Sequence, residues 1–572
     1  MHLETPEIES HGDYSSNIAM AMFSKSLIPE YVSEKTVYSS KELAEQIVQK
    51  LKKDINLKKS VSKIEVAGSG FVNFWIDEKV LLKELQNISK HKEQYGASKS
   101  LSGEKIMVEY AHPNTHKEMH IGHMRTLIVG EAIARLLDFS GATTFRANYQ
   151  GDIGPHVAKA IWGTQKLFEK EKISWEEAET KSSAEKAHFL GSGYVLANKA
   201  YEENKAEIDV LNKKIYAKDL DAYKLYKKTR KWSLDYYDEF YKRFETKFDR
   251  FYFESETAEP GKKIVLENVG KVFKKSEGAV IFEGEKFGLH TRVFVTKDGN
   301  PTYEGKDMAL APLQYSEFNF DKIIHVVGSD QKGYFEVVIK ALEFLYDYLK
   351  GKEYHLPMGL VSLVGAKMSS RTGVIVRVDE LLSDIKKLVV PLVEKGDFSS
   401  KKKREIAEMI AMGAVKYSVL KSGASSAVKF DIKQSVSLEG NSGPYLQYTF
   451  ARTQSVLRKS RRVEEQESGS SSHSELDSES DLKQILKQVQ DDNSTLQDDT
   501  KINKEELALL RSFPHFSEVI ITASKNYSPN LLCNYLYDLA QKFNTFYNSC
   551  RILDPSDVSF RLEQSEMEKS HL

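Results

Sequence analysis

The sequence predicts an α/β protein of about three domains, with a parallel β-sheet at its centre. Residues 106–111 alternate apolar and polar side chains, as a strand does, and a helical apolar pattern follows until Ser140 and Gly141 can end it. A similar strand and helix pattern occupies residues 292–376. The chain has 572 residues, which is too long for one typical core. Two halves of one parallel sheet, separated by an insertion and flanked by further domains, account for this layout.

The domain boundaries follow from changes in these patterns. Residues 1–100 combine helical and strand patterns, which predicts a small α+β domain. Residues 101–380 form the predicted sheet domain, interrupted at about 156–290 by a helical insertion rich in Lys, Tyr and Glu. Residues 381–572 predict an all-α domain. Within it, an acidic Ser- and Gln-rich segment at about 463–500 contains too few apolar residues to offset the entropy of ordering, so we expect it to be disordered.

The composition restricts the class of protein. The formal net charge of −1 excludes an overall basic surface, so a nucleic-acid partner would have to meet local basic runs such as residues 401–404 and 458–462. The two cysteines, Cys533 and Cys550, cannot build a disulfide framework or a cysteine zinc cluster, and we expect no protein metal site. No apolar stretch approaches the roughly 20 residues of a membrane span, and the polar start lacks a secretory signal. We therefore expect a soluble, cytoplasmic protein without a membrane partner.

The four residues HIGH, at positions 120–123, lie between the first predicted strand and its helix. Free backbone N–H groups and the helix dipole favour an anion at such a helix start, for example a nucleotide phosphate. Gly122 allows a nucleotide to approach the backbone, and the imidazoles of His120 and His123 can donate to phosphoryl oxygens. The alternative is a helix that begins with two histidines by chance.

A second motif, KMSSRTG, begins at Lys367 after a predicted strand at residues 359–364. A mobile loop that carries Lys367, Arg371 and two hydroxyls can neutralise charge as pyrophosphate leaves a triphosphate. Taken alone, it could also be a solvated basic loop. Both motifs occur in the expected order and context, and together they resemble the HIGH and KMSKS signatures of class I aminoacyl-tRNA synthetases. That resemblance implies a Rossmann-type catalytic domain that uses ATP, with Mg²⁺ bound to the ATP.

Polar side chains near the ends of predicted strands suggest a substrate pocket. If Glu109, Tyr303, Asp307 and Gln331 converge, they form a pocket with two carboxylates, a phenol and an amide. Such a set suits a planar guanidinium, whose donors pair with carboxylates in a forked geometry. The alternative is an ordinary set of polar residues at strand ends, and spacing alone does not decide between the two.

Longer segments resemble the arginyl-tRNA synthetase family over most of the chain. The segments are VEYAHPNTHKEMHIGHMR at 108–125, NYQGDIG at 148–154, FDRFYFESE at 248–256, EGNSGPYLQYTFAR at 439–452 and GDYSSNIAM at 12–20. The resemblance implies ATP-dependent activation of L-arginine to arginyl-adenylate and transfer to the 3′ end of tRNA(Arg) in protein synthesis. It also implies an N-terminal domain that contacts the tRNA elbow and a helical domain that reads the anticodon.

Position by position, the resemblance assigns roles to residues of this chain. Residues implied to bind L-arginine are Glu109, Asn114, Tyr303, Asp307 and Gln331. Residues implied to bind ATP are His120, Gly122, His123, Lys367, Met368, Ser369 and Ser370. Residues implied to contact tRNA are Tyr445, Gln447, Tyr448 and Arg452.

The chain departs from the family in three places. His112 stands where the family usually has Ser, and Ser370 stands where the signature has its second, catalytic Lys. Residues 554–572 are polar and lack the apolar closing helix of the family. Arginyl enzymes without the second Lys commonly carry another before HIGH, and Lys117 fits that position. The resemblance therefore implies a catalytic set of Lys117, His120, His123, Lys367 and Arg371.

Three alternatives remain open on the sequence alone. They are a class I synthetase for another amino acid, a small HIGH-bearing nucleotidyltransferase, and a non-catalytic paralogue that binds tRNA. Exchange of pyrophosphate across amino acids distinguishes the first, and the absence of adenylate formation distinguishes the last. We expect the protein to act as a monomer.

Overall fold

The computed structural model describes residues 3–6, 8–25, 39–365, 376–396, 398–468 and 502–550. These residues cluster into two compact units. The first unit holds the described residues within 1–97, 452–519 and 537–557. The second holds those within 98–451 and 520–536.

The N-terminal part of the first unit is a small α+β structure. Its elements are β1 (Leu3–Glu4), β2 (Tyr14–Ser16), α1 (Ile18–Ser24), α2 (Ser40–Leu51), α3 (Ile55–Lys58), β3 (Val61–Ala67), β4 (Phe71–Ile76) and α4 (Glu78–His91). The strands form an antiparallel sheet in the order β1-β2-β4-β3. Gly68 and Gly70 both have positive φ and turn the chain between β3 and β4. Helices α1 and α2 cover the sheet with Ala19, Leu43 and Ile47.

The second unit contains a five-stranded parallel sheet in the order β12-β11-β5-β6-β7. Elements up to the end of its helical stretch are β5 (Lys105–Glu109), α5 (Ile121–Phe139), β6 (Thr143–Gln150), α6 (Pro155–Glu171), α7 (Trp175–Glu179), α8 (Ser183–Lys199), α9 (Tyr201–Tyr216) and α10 (Leu220–Arg243). The next elements are β7 (Arg250–Phe253), α11 (Glu254–Glu267), β8 (Lys274–Ser276), β9 (Ala279–Phe282), β10 (Arg292–Val295), α12 (Tyr303–Glu317), β11 (Lys322–Gly328), α13 (Lys332–Leu345), β12 (Glu353–Met358) and β13 (Val361–Leu363).

The central strand β5 has a hydrophobic cluster on each face. Ile106 and Val108 belong to a cluster with α5, α14 (Val378–Glu394) and α15 (Ser400–Leu420). Met107 belongs to the opposite cluster, with residues of α12 and α13. Because strand side chains alternate between faces, Glu109 points to the same face as Met107. The predicted strand is therefore confirmed for residues 106–109, whereas Tyr110 and Ala111 lie beyond its end, and the helix predicted after it is confirmed.

The predicted helical insertion at 156–290 extends too far. The helices α6 to α10 end at Arg243, and β7 then joins the edge of the main sheet in parallel with β6. Tyr252 of β7 is buried, and its hydroxyl donates to Glu317 at 2.8 Å. Strands β8, β9 and β10 form a separate antiparallel sheet. Strands of three or four residues are too short for a period-2 pattern to be recognised in a segment rich in Lys and Tyr.

The chain after β13 is mainly helical, as predicted. Its further elements are β14 (Val428–Phe430), α16 (Ile432–Ser435), α17 (Gly443–Ser468), α18 (Lys504–Leu510), α19 (His515–Lys525) and α20 (Pro529–Ser549). Helix α17 continues to Ser468, so the first residues of the acidic segment predicted to be disordered at 463–500 are helical. The remainder of that segment lies outside the described residues. Across the described ranges, no helix is both long and apolar enough to span a membrane.

Candidate active site

The HIGH segment forms the start of α5, with His120 as its N-cap residue. Gly122 N–H donates to His120 Nδ1 at 3.1 Å, and His123 N–H lies 3.4 Å from the same atom. Since Nδ1 accepts these bonds, neutral His120 carries its proton on Nε2. Burial, and then the charge of Lys117, lower the pKa of His120 to about 4. His120 is thus a neutral imidazole at the start of a helix, and its Nε2–H donates to no group within the described residues.

The imidazole of His123 stacks on that of His120, with ring centres 3.6 Å apart. Burial lowers the pKa of His123 well below its usual value, and the neighbouring His120 and Lys117 lower it further. His123 Nδ1 is buried and has no hydrogen-bond partner among the described residues. Both histidines of the motif are therefore neutral. They can hydrogen-bond to an anion without adding a positive charge to that of Lys117.

Helix α10 holds the loop between β5 and α5. The Tyr237 hydroxyl lies 2.6 Å from the carbonyl oxygen of Asn114 and 2.7 Å from that of Lys117. The backbone N–H of His116 donates to the Ser233 hydroxyl at 2.8 Å. His116 itself is buried at a positive φ of 64°. The helical insertion therefore fixes the backbone from which Asn114 and Lys117 project.

Lys117 lies close to the two histidines. The family resemblance predicts that it replaces the second Lys of the signature, which is Ser370 in this chain. Its ammonium is 4.6 Å from the ring centre of Tyr194 on α8. Burial raises the pKa of Tyr194, but a hydrogen bond with Asn198 and the charge of Lys117 lower it overall. Lys117 also lowers the pKa of His120 and of His123. The structure thus brings the predicted cation to the HIGH histidines.

Asp307, on the first turns of α12, is a carboxyl group whose two oxygens differ in their hydrogen bonding. Its Oδ2 accepts a hydrogen bond of 2.5 Å from the Tyr334 hydroxyl. Its Oδ1 is buried and has no partner in the part of the chain that the structure describes. Burial raises the pKa of Asp307 to about 8, against the hydrogen bond from Tyr334, and the nearby Glu109 and Glu254 raise it as well. A ligand with a positive charge and N–H donors would satisfy this oxygen.

Glu109, at the end of β5, accepts a hydrogen bond on each of its two carboxylate oxygens. Its side chain is 3% exposed, and Oε1 accepts from His325 Nδ1 at 2.8 Å. Gln314 of α12 donates to Oε2. His112 Nδ1 lies 4.0 Å from Oε1. Burial raises the pKa of Glu109, but the charge and hydrogen bond of His325 outweigh it and lower that pKa. Glu109 is therefore an ionised carboxylate next to Asp307.

His325 is the centre of a buried ionic network that the sequence analysis did not predict. Its Nε2 lies 2.6 Å from Glu353 Oε2, on the side opposite Glu109. Burial lowers the pKa of His325, but the carboxylates of Glu109 and Glu353 raise it to about 10. Parallel strands bring His325 into register with Glu109. Because no residue pattern gives the register of two distant strands, the sequence carried no signal for this contact.

Tyr303 and Asn114 lie near a second buried ion pair. Lys306 pairs with Glu254 at 2.5 Å, and its ammonium lies 5.0 Å from the ring centre of Tyr303. A Cβ atom on Gly151 would lie 2.1 Å from Asn114 Oδ1 and 3.1 Å from Glu254 Oε1. Asn114 and Glu254 therefore both face Gly151, and no larger residue fits there. Neither Glu254 nor Lys306 was predicted from the sequence, although Glu254 lies in the segment 248–256 that resembles the family.

Gln331, which is predicted to bind arginine, makes no hydrogen bond to this cluster within the described residues. It lies on a short 3-10 turn, Ser329–Gln331, directly after β11. The side chain is exposed and donates from Nε2 to Asp330 at 2.6 Å. Its position at the carboxyl end of β11 is the predicted one, and its role as a ligand stays a prediction.

The second signature motif lies outside the described residues, which stop at Gly365 and resume at Val376. Lys367, Met368, Ser369, Ser370 and Arg371, predicted to contact ATP or to assist catalysis, all belong to this part of the chain. The chain that resumes at Val376 contacts the start of α5. Ile121 N–H donates to the Val376 carbonyl at 3.1 Å, and Val378 N–H donates to the Met119 carbonyl at 3.1 Å. The described chain thus resumes beside the HIGH segment.

The residues predicted to contact tRNA lie on α17. Gln447 donates from Nε2 to the Met409 carbonyl on α15 at 3.0 Å. Arg452 donates to Asn544 Oδ1 on α20 at 2.8 Å, and its guanidinium lies 4.8 Å from the ring centre of Tyr547. These two side chains therefore contribute to packing between helices. Tyr445 and Tyr448 are half-buried on the same helix.

Comparison with protein families identifies the family to which the chain belongs. The model described as tRNA synthetases class I (R), catalytic domain, matches residues 84–432, which is more than half of the chain. The chain belongs to the arginyl-tRNA synthetase family. The family's Arginyl tRNA synthetase N terminal domain matches residues 1–76, and the DALR anticodon binding domain matches residues 482–569.

Individual relatives of the family agree with this membership. An arginine--tRNA ligase of Borreliella afzelii is 31% identical over 544 residues, covering 93% of this chain and 86% of the relative. An arginine--tRNA ligase of Treponema denticola is 32% identical over 499 residues, which cover 85% of this chain and 79% of the relative. The solved arginyl-tRNA synthetase of Thermus thermophilus has a TM-score of 0.73 at 22% identity over 96% of this chain and 88% of that one, which supports the fold.

Membership in the arginyl family confirms the predicted fold class. The three family models correspond to the predicted α+β, Rossmann-type and all-α anticodon-binding parts. A synthetase for another amino acid and a small nucleotidyltransferase are excluded as families. The anticodon model also covers residues 554–569, where the sequence lacks the usual closing motif, and it begins inside the acidic segment.

Proposed function

We propose that this arginine--tRNA ligase forms arginyl-adenylate between Asp307, Glu109 and the start of α5, and then transfers the arginyl group to the 3′ end of tRNA(Arg). The observation that carries the proposal is the Asp307 Oδ1 atom, which is buried without a partner among the described residues, close to the ionised Glu109. A guanidinium supplies the positive charge and the N–H groups that Asp307 lacks, and its charge complements that of Glu109. Family membership supports the same reaction.

The remaining arginine contacts follow from position. Tyr303, half-exposed at the start of α12, is placed to cover the aliphatic part of the substrate. Asn114 and Gln331 are proposed to hold the α-amino and carboxylate groups. Both lie near the carboxyl ends of sheet strands, where open α/β sheets bind ligands.

For ATP, the proposed contacts are the start of α5 and the KMSS motif. His120 and His123 are neutral, so they orient phosphoryl oxygens through N–H donors, and Gly122 keeps the approach open. The arginine carboxylate attacks the α-phosphorus, the bond to the β-phosphate oxygen breaks, and pyrophosphate leaves. No protein nucleophile is required, so catalysis relies on positioning and on neutralising charge. Lys367, Met368, Ser369 and Ser370 are the other proposed ATP contacts.

The positive charge at the leaving pyrophosphate is proposed to come from Lys117, assisted by Lys367 and Arg371. The location of Lys117 beside both histidines supports this role. In the described ranges no group of three or more His, Cys, Asp or Glu side chains is arranged to hold a metal ion. Class I aminoacyl-tRNA synthetases generally use ATP with Mg²⁺, so we propose that Mg²⁺ would arrive on the phosphates of ATP and would add Lewis-acid charge there.

For tRNA, the proposed contacts are on α17 and in the N-terminal and anticodon-binding parts. Half-buried Tyr445 and Tyr448 offer aromatic surface to unpaired bases, and Gln447 and Arg452 support the helix that carries them. We also propose a monomeric, cytoplasmic enzyme. Sedimentation of the purified protein and fractionation of cells test these two points.

The decisive experiment is ATP–pyrophosphate exchange with all twenty amino acids, with and without tRNA(Arg). The proposal expects exchange with L-arginine alone, and only with tRNA present, followed by charging of tRNA(Arg). A protein that binds tRNA(Arg) but exchanges no pyrophosphate would instead be the non-catalytic paralogue. Exchange with a different amino acid would refute the pocket assignment.

A further inference from the structure

A buried series of three charged side chains crosses the sheet beside the proposed arginine pocket. Glu109 on β5 and His325 on β11 are register partners, and Glu353 begins the neighbouring strand β12. His325 lies 2.8 Å from Glu109 and 2.6 Å from Glu353 through its two ring nitrogens. The three side chains are 3%, 7% and 2% exposed. An imidazole between two ionised carboxylates donates from both nitrogens and is therefore an imidazolium.

We propose that His325 is a positioning residue for arginine binding, which keeps the Glu109 carboxylate ionised and oriented toward the substrate while Glu353 keeps His325 charged. The inference rests on the proposed function, in which Glu109 faces the guanidinium. His325 touches no substrate and acts through Glu109. Through this network the enzyme distinguishes a cationic side chain from a neutral one of the same shape.

The physical reason is the burial of Glu109. A carboxylate that is removed from water becomes protonated unless a nearby positive charge or hydrogen bonds compensate. A protonated Glu109 would offer the guanidinium an O–H group and no charge. His325 supplies the compensating charge, and together the two carboxylates and one imidazolium carry a single net negative charge. This remaining negative charge and Asp307 both face the substrate guanidinium in the proposed pocket.

Other titratable groups also face His325. They are His112 in the loop after β5, Asp307 on α12 and His355 on β12, in addition to Glu109 and Glu353. From α13 the group in contact is Phe335, whose ring centre lies 5.0 Å from that of His325. Among the groups that face His325, Asp307 and His112 also interact with Glu109, so pH effects must be compared between variant and wild type.

The test uses His325→Asn, whose amide can still donate to Glu109 but carries no charge. Arginine KM, ATP KM and the inhibition constant of L-citrulline, a neutral urea analogue of arginine, are measured by tRNA-dependent pyrophosphate exchange from pH 6.5 to 8.5. We expect arginine KM to rise about tenfold or more at pH 7, because a buried carboxyl without a compensating charge can have its pKa raised by about 3–5 units, which would leave most of Glu109 protonated at pH 7. ATP KM stays within about twofold and the citrulline constant within about threefold, since neither ligand depends on that charge.

The pH dependence has a defined direction. In the variant, Glu109 ionises only at higher pH, so the ratio of variant to wild-type arginine KM falls as the pH rises. Glu353→Gln keeps a hydrogen-bond partner for His325 and removes one charge, so we expect a smaller rise of arginine KM with the same pH trend. This second variant carries the test if His325→Asn does not fold.

His355→Asn is the matched control. His355 lies on β12, contacts the same Phe335 ring at 4.5 Å and bonds to the Val327 carbonyl, so its loss should leave arginine KM unchanged. An unchanged arginine KM in both test variants, or a ratio that does not vary with pH, overturns the proposal. So does an equal rise for arginine and citrulline, which indicates a distorted pocket. If the wild-type enzyme shows no arginine-dependent exchange, the proposed function fails first, and this role fails with it.

Discussion

At the scale of single residues, the unpartnered oxygen of Asp307 gives a direct test of the pocket. Asp307→Asn keeps the shape and an oxygen for the Tyr334 hydroxyl but removes the charge opposite the guanidinium. We expect arginine KM to rise about 100-fold or more, because breaking a buried ion pair costs about 3–5 kcal/mol. ATP KM should stay within a few-fold. Pyrophosphate exchange measures both constants, and an arginine KM near the wild-type value contradicts the assignment.

The raised pKa of Asp307, about 8, adds a pH dependence to the same test. Only the ionised carboxylate attracts the guanidinium, which stays charged over this range. Arginine KM of the wild-type enzyme should therefore fall as the pH rises from 6.5 to 8.5 and level off above the pKa. Asp307→Asn cannot ionise at this position, so its arginine KM should lose this component of the pH dependence.

Lys117 provides the residue-scale prediction for the chemical step. Lys117→Ala should lower kcat for activation about 100-fold, the scale for removing one preorganised transition-state donor. Ser370→Lys in that background should restore part of the loss, because the charge is needed at a place in space. Lys166→Ala, which removes an exposed lysine paired with Glu169, is the control. A wild-type kcat in Lys117→Ala would show that Lys117 is only a loop residue.

What could be predicted for the site depended on where its residues lie in the sequence. His120 and His123 belong to one short motif between a strand and a helix, so the sequence predicted their neighbourhood. Glu109, His325 and Glu353 are brought together only by the register of three parallel strands. Neither periodicity nor motif spacing carries that register. The partners of Glu109 were therefore beyond sequence reasoning.

At the scale of elements, Arg125 anchors α5, the helix that carries the site. The residue is 1% exposed, and its guanidinium donates to backbone carbonyls at distances from 2.5 to 3.4 Å. The carbonyls belong to Gly359, Leu360, Gly423, Ala424 and Ser426. Burial lowers the pKa of Arg125 to about 10. One side chain thus joins α5 to the segments that precede β13 and β14.

We expect Arg125→Met to destabilise the protein strongly, because it leaves buried carbonyls without donors at about 1–3 kcal/mol for each that finds no water. The midpoint of thermal unfolding should fall by about 5 °C or more. Arg135→Met, on the same helix, removes a 55% exposed side chain paired with Glu131 and should change the midpoint by about 1–2 °C. The midpoints are measured by circular dichroism. Equal shifts of the midpoint in the two variants would contradict the anchoring role of Arg125.

The elements themselves differed in how well the sequence predicted them. Helix α5 was predicted because its apolar period is long and Ser140-Gly141 ends it. Strand β7 was missed, since its four residues follow a long helical stretch and resemble it in composition. Its place at the sheet edge is set by pairing with β6, from Ala147 to Gln150. Short strands of this kind depend on tertiary pairing more than on local pattern.

At the scale of the whole molecule, the predicted domains were contiguous, whereas the compact units are not. The first unit combines described residues of 1–97 with others from 452–519 and 537–557. Within it, Arg511 pairs with Asp13 at 3.1 Å, and the Tyr14 hydroxyl donates to Glu518 at 2.9 Å. Contacts across hundreds of residues leave no trace in composition or periodicity. The predicted boundaries at 100 and 380 therefore remain predictions about chain segments.

The acidic segment gives the prediction at this scale. Helix α17 runs to Ser468, and the anticodon model starts at residue 482, so residues 469–481 lie between the two. Their Ser- and Glu-rich composition cannot bury much apolar surface. Deleting 469–481 should leave arginine activation and charging of tRNA(Arg) within about twofold of wild type, because such a segment contributes little to folding.

A longer deletion, of residues 469–497, tests where the disordered segment ends and the anticodon-binding part begins. If the disordered segment extends to about 500, as the composition predicts, both deletions should charge tRNA(Arg) alike. If the anticodon-binding part begins at 482, only the longer deletion should raise the KM for tRNA(Arg), since its first residues would be lost. Charging assays on both variants, with thermal unfolding as a check on folding, distinguish these outcomes. Loss of activity in the shorter deletion would mean that residues 469–481 are themselves part of the enzyme's working structure.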